Sequence, residues 1–266
     1  SYETLKNKEK ESLLSIILKY NNLFMLRYLI EYHHIKINQI LEDDLVYSLN
    51  YTAIHSKIDE FQFLIQYGAN PFLKNGENQD TINYAMIYSD YSFLEYLYNM
   101  KISDLCFKGK YLFDLVTNKK GYEIFIKLIR EKKIELNIVN SKNETLLMKA
   151  CQSNNYELIN ILINYGISPM LKDENNNTAI HHCCIHNSIN ALNVLLQKFY
   201  YSSLENLMKV LSLGNINDDT PLHLSSKLGH LEIVQKILVY SLIYEKNKNI
   251  RFKSKGEFLP IHYAII

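Results

Sequence analysis

Thr220-Pro221-Leu222-His223-Leu224-Ser225, followed by Gly229-His230-Leu231-Glu232-Ile233-Val234, is the stretch that decides the fold. The same pattern recurs upstream as Thr178-Ala179-Ile180-His181-His182-Cys183. It recurs again as Thr145-Leu146-Leu147-Met148-Lys149-Ala150, in a segment that ends in Tyr165-Gly166. A unit that returns at near-constant spacing signals a repeat architecture, in which no single unit buries its own apolar face.

The register runs beyond the motif. Counting back from Gly68-Ala69-Asn70 puts a start at Tyr47, and Asp80-Thr81-Ile82-Asn83-Tyr84-Ala85 begins another. Ser12-Leu13-Leu14-Ser15, Lys110-Tyr111-Leu112-Phe113 and Leu259-Pro260-Ile261-His262 supply three more. Starts fall at 12, 47, 80, 110, 145, 178, 220 and 259. Thr52-Ala53-Ile54-His55 imitates a start. It lies too close to Gly68 for two helices, so Ile54 and His55 belong late in a first helix.

This pattern resembles the ankyrin repeat, whose marks are T-P-L-H-x-A and a period near 33 residues. The resemblance implies an all-α solenoid of stacked helix-turn-helix units with loop fingers. It covers residues 1–266 as one domain, with seven repeats and a truncated eighth. Ile261-His262-Tyr263-Ala264-Ile265-Ile266 stops inside a first helix, which predicts a fragment of a longer chain. The fourth repeat departs most, with Gly121-Tyr122-Glu123 shifted by one residue.

Residue patterns agree with this register. Leu147, Ala150, Ile180 and Cys183 fall on buried steps of first helices. Second helices carry near-continuous apolar runs, such as Phe61-Gln62-Phe63-Leu64-Ile65 and Leu158-Ile159-Asn160-Ile161-Leu162-Ile163. Such helices are buried on more than one side. The chain has only 8 glycines. Two residues before the start, where a turn needs a positive φ, it places Asn78, Asn143, Asn176 and Asp218 instead. Asn tolerates that backbone better than other non-glycine residues.

Two loops are enlarged. Leu204, Leu207, Met208 and Leu211 have helical spacing and predict an extra helix packed on the stack, or else one that binds a partner. Residues 241–258 hold Lys246, Lys248, Arg251, Lys253 and Lys255 and predict a basic loop, solvated or docking an acidic partner.

A net charge of +1 argues against nucleic-acid binding by bulk charge. No apolar run approaches a membrane span. Four cysteines at irregular spacing make no disulfide framework. These features predict a reduced, cytoplasmic, monomeric protein. The abundance of Lys, Asn, Ile and Tyr reflects an A+T-rich genome before it reflects function.

The cluster His181-His182-Cys183-Cys184-Ile185-His186 has the look of a metal site. The register resolves it into a motif histidine that ties neighbouring loops, two small buried helix positions, and a histidine pair too few for zinc. No nucleotide-binding or hydrolase motif is present. We therefore expect no catalytic residues, no metal and no cofactor.

The resemblance implies a protein-binding scaffold that takes a partner protein or peptide on its concave face. The corresponding helix positions are Tyr20, His55, Ile87, Tyr88, Gln152, Ser153, Ile185, His186 and Lys227, with Lys19, Ile54, Thr117, Asn118 and Leu228 beside them. Finger tips include Glu77, Lys142, Glu144, Glu174 and Asn217. The alternative is a regulatory or substrate-recruiting domain of a larger enzyme or membrane protein, such as an ankyrin-repeat palmitoyltransferase.

Overall fold

The computed structural model describes residues 13–33, 40–41, 46–100, 106–131 and 133–248. Within them the chain divides into two compact units, residues 1–134 and 135–266. The start at 259 and residues 249–258 lie outside the described residues.

The first unit holds four helix pairs: α1 (Leu13–Lys19) with α2 (Leu23–His33), α3 (Ser48–Ile54) with α4 (Ile58–Gln66), α5 (Thr81–Tyr88) with α6 (Tyr91–Asn99), and α7 (Lys110–Thr117) with α8 (Tyr122–Arg130). A short antiparallel pair, β1 (Ile40–Leu41) with β2 (Val46–Tyr47), precedes α3. The second unit holds α9 (Leu146–Gln152) with α10 (Tyr156–Asn164), α11 (Ala179–Ile185) with α12 (Ile189–Ser202), the extra helix α13 (Leu204–Leu211), and α14 (Pro221–Lys227) with α15 (Leu231–Lys248). First helices stack on first helices within each unit: α1 on α3, α3 on α5, α5 on α7, then α9 on α11 and α11 on α14.

Side-chain chemistry sets where each first helix begins. The residue at the start caps it: Asp80 Oδ1 accepts from Asn83 N (3.1 Å), Thr145 Oγ1 from Met148 N (3.2 Å) and Thr220 Oγ1 from His223 N (3.4 Å). The third helical residue returns the bond. Asn83 Oδ1 accepts from Asp80 N, and the ring nitrogens Nδ1 of His181 and His223 accept from Thr178 N and Thr220 N. This is a capping box with imidazole or amide in place of the usual carboxylate.

The fingers share one design. Asn75, Asn140, Asp173 and Asn215 stand five residues before a start. The side-chain oxygen of each accepts two backbone N–H groups, two and four residues on. The chain then turns through Asn78, Asn143, Asn176 and Asp218 at φ 61°, 57°, 60° and 59°. Those are the four positions at which the sequence predicts a positive φ. Four further residues, Asn21, Ser56, Asn154 and Asn187, make the same excursion between the two helices of a pair. In the second unit neighbouring fingers join: Glu174 N donates to Lys142 O (3.0 Å) and Ile216 N to Asn175 O (2.8 Å).

The core lies between the stacked helices. Fourteen residues after the starts at 12, 47, 80, 145 and 178 stand Leu26, Phe61, Leu94, Ile159 and Leu192, all fully buried. Cys151, Cys183 and Cys184 are free and buried on α9 and α11, as small apolar residues. Thr52, Ala53 and Ile54 lie in the last turn of α3, as the register requires. Leu207, Met208 and Leu211 of α13 are buried with Val210, so the predicted extra helix forms and packs.

Two expectations are corrected. Residues 241–248 continue α15 as helix rather than forming a loop. No glycine or proline interrupts the chain between Gly229 and Gly256, and apolar residues run to Ile243, so nothing ends the helix earlier. Asn118, expected beside the binding row, is buried. Its Nδ2 donates to Ser89 O (2.8 Å) and its Oδ1 accepts from Lys120 N (3.0 Å).

Asn118 turns in because the fourth pair carries one extra residue. Second helices open eleven residues after the start elsewhere, but Tyr122 comes twelve after Lys110, behind a 3-10 turn at Lys119–Gly121. The turn presses Gly121 against its neighbours. A Cβ there would lie 2.6 Å from Leu94 Cδ1 and 2.8 Å from Leu115 Cδ1. Gly121→Ala is therefore expected to cost about 1–3 kcal/mol by overpacking, read by urea unfolding. A neutral result would mean that the two leucines yield without cost.

Candidate partner-binding surface

The candidate residues fall at the C-terminal ends of first helices, at successive positions in each stack. In the first unit these are Tyr20, His55 and the pair Ile87–Tyr88. Tyr20 is 72% exposed and Tyr88 50%, and His55 is exposed, while Ile87 is half-buried. Aromatic neighbours one turn back support them. Tyr51 lies 4.3 Å from His55 between ring centroids, and Tyr84 stacks 6.2 Å from Tyr88. Partial burial, with the Lys57 ammonium nearby, holds the His55 ring below its ordinary proton affinity. At the pH of a cell it presents a neutral ring.

Lys57 fixes this end of the stack. Its Nζ donates to the carbonyl oxygens of Leu18 and Lys19 and to Asn21 Oδ1. A cation at the C-terminal end of α1 meets the negative end of the helix dipole. The clamp ties the first helix pair to the second without covering Tyr20 or His55.

In the second unit Gln152, Ser153 and Ile185 are half-buried, and His186 and Lys227 are exposed. Behind them lies a polar network. Glu144 accepts from Asn140 Nδ2 (2.6 Å), from Gln152 Nε2, and pairs with Lys149 Nζ at 3.3 Å. Gln152 Nε2 also reaches His182 Nδ1 (3.0 Å), and His182 Nε2 reaches Asp173 Oδ2 (3.0 Å). His186 stacks on His182 at 6.3 Å. Burial lowers the proton affinity of His182, opposed by Asp173 and Glu144.

His181 behaves as a motif histidine should. Its Nδ1 serves Thr178, and its Nε2 lies 3.1 Å from Leu213 O in the following loop. Both ring nitrogens of His182 face protein groups, and among the described residues no cluster of three or more His, Cys, Asp or Glu could hold a metal ion. Burial pushes up the thiols of Cys183 and Cys184, and that of Cys106 to about 12, so these three are weak nucleophiles.

Asp173 was not singled out in the sequence, although its signal was present. It is the acidic member of the Asx series five residues before the starts at 80, 145, 178 and 220. Tyr84 and His182, four residues after their starts, form the other half of the same contact.

Capped helix pairs, Asx-built fingers and first helices stacked on first helices define a repeat array of helix-turn-helix units. Comparison with known proteins names the array. Residues 112–204 match the family model for ankyrin repeats in three copies, and residues 217–249 match that for a single ankyrin repeat. The chain is an ankyrin-repeat protein with an all-α fold. Similar proteins include human NF-kappa-B inhibitor alpha, 32% identical over 103 residues, which are 39% of this chain and 32% of that protein. A rice probable E3 ubiquitin-protein ligase, XBOS32, is 25% identical over 141 residues, 45% of this chain and 28% of the relative. Human SMC5-SMC6 complex localization factor protein 1 is 29% identical over 138 residues, 50% of this chain and 12% of the relative. The matched stretches thus span less than a third of each of these relatives. Ankyrin repeats are protein–protein interaction modules. Among the described residues no helix is long and apolar enough to cross a membrane.

Proposed function

We propose that this chain recruits a partner protein or peptide through the row at the C-terminal ends of its first helices. Tyr20, His55, Ile87 and Tyr88 line the row in one unit, and Gln152, Ser153, Ile185, His186 and Lys227 in the other. The observation that carries this reading is the exposure of Tyr20, His55 and Tyr88 on consecutive stacked helices. Exposed rings backed by a rigid stack bury large area on binding with little entropy to lose, which is why aromatic residues dominate interface hot spots. We infer further that the chain works as a monomer, without catalytic residues or a cofactor. Its four free, buried cysteines fit a reduced compartment such as the cytoplasm.

A second reading is favoured by the comparisons. In the relatives named above, the matching stretch is a minor part of a longer protein. The chain then acts as the recruiting or regulatory portion of a larger enzyme or membrane protein, through the same surface.

The test is affinity capture from an extract of the source cell. The baits are the wild type and a Tyr20→Ala/His55→Ala/Tyr88→Ala/His186→Ala variant, both shown by circular dichroism to fold. We expect a protein held by the wild type and lost with the variant. Equal recovery by both baits would remove the row as the binding surface.

A further inference from the structure

Asp173 and His182 are nine residues apart in sequence, and the finger folds back to join them. The same pair of positions is joined in the third repeat by Asn75 Nδ2 donating to Tyr84 OH (2.9 Å), while the seventh holds Asn215 and Leu224. Among these, only repeat six sets a carboxylate against an imidazole. Both groups are buried, Asp173 at 7% and His182 at 4% exposure.

The donors and acceptors around His182 fit one protonation state. Gln152 is fixed at both ends of its amide. Its Oε1 accepts from Lys149 Nζ (2.8 Å), and its Nε2 donates to Glu144. The amide nitrogen therefore also points at His182 Nδ1, which must accept. His182 Nε2 faces the Asp173 carboxylate and must donate. A neutral ring with its proton on Nε2 satisfies both contacts. A second proton on Nδ1 would set N–H against N–H. Gln152 cannot relieve this by turning over. Its oxygen would then face the Glu144 carboxylate, and its NH2 the Lys149 ammonium.

We propose that His182 is a proton-operated latch on Gln152: the neutral ring holds the amide at the end of α9, and the protonated ring releases it. Five charged or titratable groups bear on the ring. Asp173 comes from the finger, Glu144 and Lys149 come from repeat five, His181 shares its helix and His186 caps the C-terminal end of that helix. Burial favours the neutral ring, Asp173 and Glu144 favour the charged one, and His186 opposes it. The net effect is a lowered proton affinity, so the latch is closed above pH 6.5 and opens only below it. The latch stands on contacts within the chain. Its consequence, a partner contact at Gln152 and His186 that weakens in acid, rests on the binding row proposed above.

Side-chain NMR tests the latch without any partner. In the wild type, the Gln152 Nε2 resonances and the His182 ring are expected to titrate together, with one midpoint below 6.5. Asp173→Asn/His182→Leu installs the pair found in repeat seven, and there the Gln152 resonances should stay still across the same range. Gln152→Ala removes the donor that favours the neutral ring, so the His182 midpoint should rise. A His182 ring that titrates while Gln152 stays put would overturn the latch, as would an unchanged midpoint in Gln152→Ala. Either result leaves the binding row standing. Conversely, equal capture by the wild type and the four-residue variant above removes the row and leaves the latch standing.

Discussion

Phe61→Ala is expected to cost about 3–5 kcal/mol, the usual range for deleting a fully buried aromatic ring. Phe61 sits on α4 with no exposed surface. It meets Phe93 of α6 edge-to-face, with centroids 5.0 Å apart and planes at 77°, and it lies 6.1 Å from Tyr96. Such ring pairs add to the area they bury. The ring belongs to the buried series fourteen residues after the starts, so its removal opens a void between the second and third helix pairs. In a stacked array stability is a sum of unit and neighbour-interface contributions. The loss should therefore concentrate in the first unit. Urea unfolding gives the total, and hydrogen exchange should show faster opening of α1 to α4 with α9 to α14 unchanged. Phe61→Leu fills most of the void and should cost much less. A loss below about 1 kcal/mol for Phe61→Ala would mean that the interface is not packed through this ring.

What the sequence reveals of this fold follows from which residues act locally. Thr145, Thr178 and Thr220 cap helices within three residues of themselves, so their spacing reads directly as a register. Asn78, Asn143 and Asn176 report a backbone angle, a property of one residue and its turn. Leu204, Leu207, Met208 and Leu211 show a period that only a helix satisfies. The extension of α15 to Lys248 was harder to read, because charged residues after Tyr244 suit a loop as well as an exposed helix end.

The candidate surface was less legible for a different reason. Exposure at Tyr20 or Tyr88 and burial at Asn118 are decided by what the neighbouring pair covers. One extra residue at Lys119–Gly121 was enough to turn Asn118 inward. The Asp173–His182 contact needs the finger to fold before its two halves meet. Each half could be read from the sequence only as a member of a periodic series, not as a partner of the other.

His181→Asn gives the second large effect, and it appears as a dependence on pH. The His181 ring is fully buried, and burial drives its proton affinity down to about 4 from an ordinary value of 6.5. Because the folded-state value is depressed, the native state binds the proton less readily than the unfolded chain. The neutral ring's contribution is then fully present above pH 6.5, falls as the pH drops below it, and levels near 4. A shift of this size corresponds to about 3 kcal/mol over that window. Asn is the natural comparison. Asn83 holds the same place in the third repeat, where its Oδ1 accepts from the capping residue and its Nδ2 donates to Asp114 (2.6 Å). In repeat six an asparagine can serve Thr178 but is too short to reach Leu213 O. At pH 7 the variant should therefore be less stable by about 1–3 kcal/mol, the cost of losing the bond to a part-buried carbonyl. At pH 4 that gap should close or reverse, because only the wild type has a buried imidazole at position 181 to charge. His182 is present in both proteins, so its own titration cancels in the difference. A gap that stays constant from pH 7 to pH 4 would mean that His181 binds its proton as readily in the folded chain as in the unfolded one, and that burial does not hold the ring neutral.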